Sequence, residues 1–318
     1  MVISDVVPPG EPLLISVVIP MHNSERWIRE TLVSVCVQDY PNLEIVLIND
    51  GSNDNSLGVV GKVSSKFPNV RIKTYSIKNS GVSYARNLGI RMAEGKLIAL
   101  LDSDDVWDKT KLSRQFLYLN SRPELIAVLC DFYISKSVHS HKELRNTRLI
   151  SKKGVRNVGT SWLSLEGNGG LLSSTALIWK DSFKDKVAFD SELSTTADLS
   201  FFLQLTKFGK IGHLAVPLVQ YRQHENQMHS DPDLLRKEYP LLLEKLEALS
   251  FQVNQRKVIG NVLVMCGLLN LSRGAFKKAV DDFIEGMISN PLSIIRLPLA
   301  VMKKRVMSYL TLIATRTR

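Results

Sequence analysis

The sequence has few cysteines. Three are spread over 318 residues, Cys36, Cys130 and Cys266, and each stands among apolar residues. An odd number of widely spaced cysteines does not suit a disulfide framework, so we expect reduced thiols and a cytoplasmic protein. The first residues also lack a basic stretch followed by an apolar core, so we expect no signal peptide and a loose leader over residues 1–13.

Long uninterrupted apolar runs are also missing. The most apolar stretch, residues 294–313, is interrupted by Pro298 and by the adjacent cations Lys303, Lys304 and Arg305. Each cation would cost about 2.5 to 3.5 kcal/mol at the centre of a bilayer, so we expect no membrane span here. A basic amphipathic helix can lie on the anionic inner face of the cell membrane or pack on its own domain, and the sequence leaves both open.

Nucleic-acid-binding motifs are absent, although the net charge is +10. An excess of Lys and Arg suits nucleic acid, an anionic lipid surface or a phosphate-bearing substrate, and without a motif we expect no nucleic-acid partner. Apolar residues make up 44% of the chain and charged residues 23%. This is the composition of a globular protein with a sizeable core.

Short apolar runs alternate with amphipathic segments from residue 14 to residue 121. Runs rich in β-branched residues predict strands, and segments with apolar residues at helical spacing predict helices between them. This alternation predicts an α/β fold with a doubly wound, mostly parallel sheet. The predicted strands cover residues 14–20, 44–50, 70–75, 97–101, 126–130 and 218–221, and the helices between the first four cover residues 25–38, 57–67 and 82–94.

The chain is organised around the apolar run at residues 97–101, which leads into Asp102, Ser103, Asp104 and Asp105. Ligands of parallel sheets bind beyond the carboxyl ends of the strands, which is where these acids fall. Mg²⁺ and Mn²⁺ prefer oxygen ligands and usually share a substrate phosphate with one or two carboxylates. A metal–diphosphate site and an acidic turn that caps the next helix both fit this pattern.

Several spaced motifs resemble those of the inverting glycosyltransferase family 2, which has a Rossmann-like nucleotide-binding fold called GT-A. The resemblance covers about residues 14–226 and is carried by SVVIPMHNSERWIRETLVSV, QDYPNLEIVLINDGSNDNS, NSGVSYARNLGIRMAEGKLIALLDSDDVW and FDSELSTTADLSFFLQLTKFG, in this order. Ordered motifs are far more specific than any one of them. The resemblance implies transfer of a sugar from a nucleotide donor, most simply a UDP-sugar, to an acceptor hydroxyl.

The resemblance also implies a nucleotide-sugar site with a divalent cation, Mn²⁺ or Mg²⁺. The family usually has an aromatic residue where His22 stands, and this departure leaves the identity of the base open. Asp50 also fits a turn residue before Gly51, and Arg86 also fits an ion pair with the acidic turn. The residues implied for the nucleotide sugar are Pro20, His22, Asn23, Asp50, Arg86, Asn87, Asp102 and Ser103, and those implied for the metal are Asp102, Asp104 and His224.

Asp198 matches the position of the family's general base. The family usually has Glu-Asp here, and Ala197 replaces the Glu, so Glu192 and Asp190 remain as alternatives. A carboxylate in the first turn of a helix is also favourable for the helix itself. Likewise, His224 also fits an exposed histidine near His229, and Asp105 also fits a cap of the following helix.

Three segments follow from these observations: the leader at residues 1–13, a GT-A catalytic domain at 14–230 and a helical extension at 231–318. The pattern of apolar residues in the extension predicts amphipathic helices at residues 232–249 and 256–271. The segment that follows resembles one helix pair of the tetratricopeptide type, which would pack on the catalytic domain or form a homodimer. The resemblance implies that the basic loop at residues 136–157 carries acceptor specificity, as loops on a rigid scaffold commonly do. The glycine-rich segment 167–170 allows close approach to a ligand or a flexible connection.

The function that the resemblance implies is synthesis of a bacterial surface polysaccharide or glycolipid, with a saccharide or lipid-linked saccharide as acceptor. Two other functions stay open. A non-catalytic member would bind a sugar nucleotide or a partner, which Ala197 and His22 favour. A nucleotidyltransferase would share the sheet and the acids, but it usually has a Gly-rich loop with Arg and Lys after the first strand, where this chain has Met21, His22 and Asn23.

Overall fold

The computed structural model describes residues 12–135, 172–183, 185–222, 224, 231–251 and 253–292. These residues belong to two compact units, one ending near residue 226 and the other made of the helices that follow. Three predictions lie outside the described residues: the loop at 136–157, the glycines at 167–170 and the basic stretch at 294–313. His229 also lies outside them.

The first unit contains a mixed eight-stranded sheet with the strand order β3-β2-β1-β4-β7-β6-β8-β5. Pairing is parallel from β3 to β4 and between β6 and β8, and antiparallel where β7 joins β4 to β6 and where β5 meets β8. The strands are β1 (Ile15–Met21), β2 (Leu43–Asp50), β3 (Arg71–Ile77), β4 (Leu97–Leu100), β5 (Val106–Trp107), β6 (Leu125–Ser135), β7 (Ala176–Trp179) and β8 (Lys210–Arg222).

Helices connect these strands and make up the second unit. Those of the first unit are α1 (Ile28–Cys36), α2 (Ser56–Ser64), α3 (Val82–Met92), α4 (Lys111–Asn120), α5 (Lys180–Phe183) and α6 (Ala197–Leu205). Those of the second are α7 (Pro232–Ala248), α8 (Gln255–Ser272) and α9 (Phe276–Ser289). The predicted α/β class and the helical C-terminal region are both confirmed.

The central strands β1, β2 and β4 are buried almost throughout, as strands with helices on both faces must be. Their apolar side chains form one continuous core with α1, α2 and α4. β3 alternates between half-buried and exposed residues because it is the edge strand. The core therefore fixes the carboxyl ends of β1, β2 and β4 at one edge of the sheet.

Helix α1 begins later than the sequence predicts. Residues 24–27 form a turn in which the carbonyl of Ser24 accepts the N–H groups of Trp27 (2.8 Å) and Ile28 (2.9 Å). The hydroxyl of Ser24 is 2.7 Å from that of Ser103, and the residue before the helix is Trp27.

In the second unit, α8 and α9 pack closely as a helix pair. Added Cβ atoms at Gly260 and Gly267 would meet Asn290 and Phe283 at 2.6 and 2.7 Å, so both positions need a residue as small as glycine. The amide of Asn270 donates to the nearly buried carboxylate of Asp282 (2.8 Å). Among the helices that the structure describes, none is long and apolar enough to cross a membrane.

Lys111 is fully buried at the start of α4, and none of the described residues accepts a hydrogen bond from its Nζ atom. The amine lies 3.8 Å from the centre of the Trp107 ring. Burial lowers the pKa of Lys111 from its ordinary 10.5 to about 8. Lys111 therefore lowers the stability of the folded protein near neutral pH, since charging a buried amine is unfavourable.

We expect Lys111→Met to raise the free energy of unfolding by about 3 kcal/mol at pH 7, because it removes a buried amine whose pKa falls from 10.5 to about 8 on folding. Between pH 8 and 10.5 the unfolded wild-type chain binds a proton that the folded chain does not, so wild-type stability rises with pH. The difference in free energy of unfolding between the variant and wild type therefore shrinks over this range. Urea denaturation at several pH values measures this difference. The exposed Lys109→Met is the control, and an equal, pH-independent effect in both variants would contradict the expectation.

Candidate functional site

Polar residues gather where β1, β2 and β4 end. β1 and β2 run side by side with Met21 opposite Asn49, so His22 and Asp50 follow at the same edge. β4 pairs with β1 on the other side, with Leu100 opposite Val18, and leads directly into Asp102. The edge of a parallel sheet where strand order reverses is the usual position of a ligand.

A single guanidinium joins two acids from distant parts of the chain. Arg86 on α3 is 5% exposed, and its Nη2 and Nη1 atoms donate to Asp102 Oδ1 (2.6 Å) and Asp198 Oδ1 (2.7 Å). Burial alone would lower the pKa of Arg86, but the charges of both carboxylates raise it above its ordinary value. The residue is therefore a permanent cation between two acids.

Asp198 lies in the first turn of α6, as predicted, and both of its oxygens have partners. Oδ1 accepts from Arg86, and Oδ2 accepts the N–H of Ser173 (2.9 Å), which precedes β7. Neighbouring Ala197 is fully buried. The alternative base Asp190 accepts the N–H of Glu192 (2.9 Å) in the turn before the helix.

Asp102 faces the same cluster, with 27% of its side chain exposed. Burial raises the pKa of this carboxyl to about 6, Arg86 opposes the rise, and the negative charges of Asp198 and Asp104 add to it. One guanidinium thus offsets only part of the charge of three carboxylates. An additional cation would be electrostatically favoured here.

Asp104 and His224, which are 120 residues apart, meet directly. His224 Nε2 lies 2.8 Å from Asp104 Oδ2, and both side chains are partly open to solvent. The imidazole also stacks on the ring of Trp27. A carboxylate oxygen and an imidazole nitrogen are both accepted ligands of Mn²⁺, so this pair fits a divalent cation.

No group of three potential metal ligands is close enough to hold a metal ion among the residues that the structure describes. Mg²⁺ and Mn²⁺ sites commonly use only one or two carboxylates and complete their coordination with water and substrate phosphates. The residues present therefore fit a cation that is bound together with a phosphate ligand.

Asp105 does not cap the next helix, contrary to the alternative in the sequence. It is 1% exposed and accepts from the hydroxyl of Ser174 (2.5 Å) and the N–H of Arg222 (3.2 Å). Burial raises the pKa of Asp105 well above its usual range, and the nearby charges of Asp104 and Asp102 raise it further. Asp105 therefore ties the acidic turn to the β7 and β8 segments.

His22 and Asp50 form a second polar group. The carbonyl of Asp50 lies 2.7 Å from His22 Nδ1, so this nitrogen carries the proton and Nε2 is an acceptor. The side-chain amides of Asn23 (3.2 Å) and Asn79 (3.4 Å) face Nε2. The sequence analysis did not single out Asn79, although it is the first residue of the motif that contains Arg86 and Asn87.

The carboxylate of Asp50 holds the loop before α3. Its oxygens accept the N–H groups of Ser80 (2.6 Å) and Gly81 (2.9 Å). Gly81 has a φ of +89°, a conformation that glycine adopts without strain. Asp50 is thus more than a local turn residue, because it joins the end of β2 to the start of α3.

Two predicted site residues are positioned away from these groups. Asn87 donates to the carbonyl of Phe189 (2.7 Å) and accepts its N–H (2.8 Å), so its amide anchors the segment before α6 rather than facing the acids. Pro20 is buried within β1, opposite Ile48. Ser103 remains in the acidic turn, where its carbonyl accepts the hydroxyl of Thr31 (2.9 Å).

The sequence model described as "Glycosyl transferase family 2" matches residues 16–177. The minor teichoic acid biosynthesis protein GgaA of Bacillus subtilis is 30% identical over 221 residues, which cover 67% of this chain and 48% of that protein. In four curated relatives the match spans from 17% to 48% of the relative's own length.

Two solved structures share the fold. S. aureus TarS 1–349 in complex with UDP-GlcNAc has a TM-score of 0.60 and 20% identity, covering 86% of this chain and 81% of that one. The mannosyltransferase PcManGT from Pyrobaculum calidifontis, in complex with GDP-Man and Mn²⁺, has a TM-score of 0.57 and 15% identity, covering 94% and 83%. At these identities the likeness establishes the predicted GT-A fold and nothing further.

Proposed function

The chain belongs to glycosyltransferase family 2, and from this we propose that it transfers a sugar from a UDP-sugar to an acceptor hydroxyl with inversion of configuration. The observation that carries the proposal is the bridge from Asp102 through Arg86 to Asp198. It brings an acid at the end of β4 and an acid on α6, 96 positions further along, to one guanidinium. The acid that binds the sugar donor and the general base must lie close together if the acceptor is to attack the sugar.

The uracil base fits the group around His22. Uracil presents an N3–H between two carbonyl oxygens, and His22 Nε2 is an acceptor between the amides of Asn23 and Asn79. Asn23 Oδ1 accepts the N–H of Asn53 (2.9 Å), so the amide nitrogen beside His22 Nε2 is the atom that would donate to the base. The UDP-GlcNAc complex of TarS supports a uridine nucleotide, whereas the GDP-Man complex of PcManGT shows that the fold also accommodates guanosine.

Asp198 is proposed as the general base. It would take the proton from the acceptor oxygen as that oxygen attacks the anomeric carbon from the face opposite the nucleotide. Arg86 and the N–H of Ser173 hold the carboxylate in one orientation before the acceptor binds. Because the attack is a single in-line displacement, configuration at the carbon inverts.

Asp104 and His224 would hold Mn²⁺ or Mg²⁺, with Asp102 beside them. When bound, the cation supplies positive charge that stabilises the departing diphosphate. Asp102 itself is proposed to contact the ribose or the cation, since its second oxygen is not committed to Arg86.

We propose that the acceptor is a saccharide or lipid-linked saccharide in the synthesis of a bacterial surface polymer. The similarity to GgaA, named for minor teichoic acid biosynthesis, supports this class. The net charge of +10 suits an enzyme that works beside anionic lipid or anionic polymer at the inner face of the membrane. Residues 14–230 would form the catalytic domain and residues 231–318 its helical extension.

UDP should stabilise the wild-type protein against thermal unfolding, and more so with Mn²⁺. A ligand at 100 times its Kd adds about 2.7 kcal/mol. Asp104→Ala should lose the additional thermal stabilisation that depends on Mn²⁺, because it removes one of the proposed metal ligands. Asp181→Ala, which removes an exposed carboxylate on α5, is the control and should retain that stabilisation.

Stabilisation by UDP that is equal with and without Mn²⁺, in wild type and in Asp104→Ala, would contradict the metal assignment. Transfer assays with a panel of nucleotide sugars and saccharide acceptors then separate an enzyme from a non-catalytic binding protein. Binding without transfer or donor hydrolysis would favour the non-catalytic alternative.

A further inference from the structure

Trp27 lies beside the Asp104–His224 pair, and the sequence analysis gave it no role. It is the residue immediately before α1, and its ring stacks on His224 with centroids 5.0 Å apart and planes inclined by 18°. Offset stacking of this kind restricts the rotation of both rings. Trp27 is therefore in a position to set the plane of the imidazole.

The plane of the His224 ring decides where its nitrogens point. β8 ends at Arg222, two residues before the histidine. The Nε2 atom points at Asp104 Oδ2, at 2.8 Å. The direction of an imidazole nitrogen depends on the ring plane, and the stacked indole fixes that plane.

Two arginines contact the ring of Trp27 itself. The guanidinium carbons of Arg26 and Arg222 lie 4.6 and 5.4 Å from the centre of its ring. Arg222 also pairs with Glu30 on α1 (2.9 Å), and the backbone N–H of Trp27 donates to Ser24. These contacts join the start of α1 to the end of β8, close to His224.

We propose that Trp27 is a positioning residue that orients His224 for a divalent cation shared with Asp104. This rests on the proposed function, in which His224 and Asp104 hold the cation. The indole makes no bond to the cation and acts through the imidazole. Supporting residues of this kind commonly change metal affinity when they are replaced, because they fix the direction of the ligand atom.

The test is a double-mutant cycle on Mn²⁺ binding, measured by calorimetry with UDP present and no acceptor. Trp27→Leu should weaken Mn²⁺ binding about 2- to 10-fold, the range expected for loss of one aromatic pair. Trp27→Phe retains a flat ring and should recover most of the affinity. In a His224→Ala background, Trp27→Leu should have no further effect, because the ring it positions is gone.

UDP binding without Mn²⁺ and thermal unfolding without ligand are measured for every variant, so that a general loss of structure is recognised. The proposal is overturned if Trp27→Leu leaves Mn²⁺ affinity unchanged, or lowers it equally in the His224→Ala background. If the wild-type protein binds UDP but no Mn²⁺, the proposed metal site fails, and the role of Trp27 fails with it. Full Mn²⁺ binding by His224→Ala would remove His224 alone from the ligands and overturn the proposal for Trp27.

Discussion

Replacing Asp198 with Asn is expected to lower the rate of sugar transfer by about 10²- to 10⁴-fold, the usual contribution of a general base. Asn has the size of Asp but cannot accept the proton from the acceptor hydroxyl. Donor binding should persist, because Asp102 still pairs with Arg86 when the charge of Asp198 is removed. Turnover of a UDP-sugar and calorimetric binding of UDP measure the two effects separately.

Glu192→Gln is the matched control for this change. Glu192 is exposed in the turn five residues before α6 begins, and it was one of the alternative bases. It should retain turnover close to that of wild type. A wild-type rate of sugar transfer in Asp198→Asn, or an equal loss of rate in Glu192→Gln, would contradict the assignment of Asp198 as the base.

Removing Arg86 should have the largest effect on stability. Arg86→Ala leaves two carboxylates, Asp102 and Asp198, without the buried cation that separates them. Breaking a buried ion pair from one side typically costs about 3–5 kcal/mol, because an uncompensated charge remains. The partial exposure of both acids favours the lower end of this range. Urea denaturation at pH 7 measures the loss.

Two further variants identify the cause. Arg91→Ala removes an exposed arginine from the same helix and should change stability by no more than about 0.5 kcal/mol. Adding Asp198→Asn to Arg86→Ala removes one of the two opposed charges and should restore part of the lost stability. Equal stability of Arg86→Ala and Arg91→Ala would show that the bridge contributes little.

The strands β1 to β4 were predicted to within two residues at each end, since each is a short apolar run bounded by polar or turn residues. The strands β5 to β8 were predicted less well, and β6 continues to Ser135, five residues past its predicted end. β5 has two residues and β7 has four, which is too short for a periodic pattern to be recognised. β8 runs for 13 residues, of which only the last part was predicted, because its first part contains glycine, histidine and proline.

Local pattern also does not show in which direction a polar side chain points. Asn87 stands beside Arg86 in the same motif, yet a difference of one position on a helix turns the side chain by about 100°. Arg86 therefore reaches the acids, whereas Asn87 bonds to the backbone of Phe189. Lys111 reads as an ordinary charged residue at a helix start, and only the packing of α4 against the sheet buries it.

The sequence by itself determined the α/β class, the family and the order of the chemical motifs, because hydrophobic periodicity and motif spacing are properties of neighbouring residues. Only the tertiary structure decided which of those residues meet. Arg86 reaches Asp198 across 112 positions, and Asp104 reaches His224 across 120. Such contacts depend on how α6 and β8 pack against the ends of β1, β2 and β4, and no local pattern encodes the direction in which a distant side chain points.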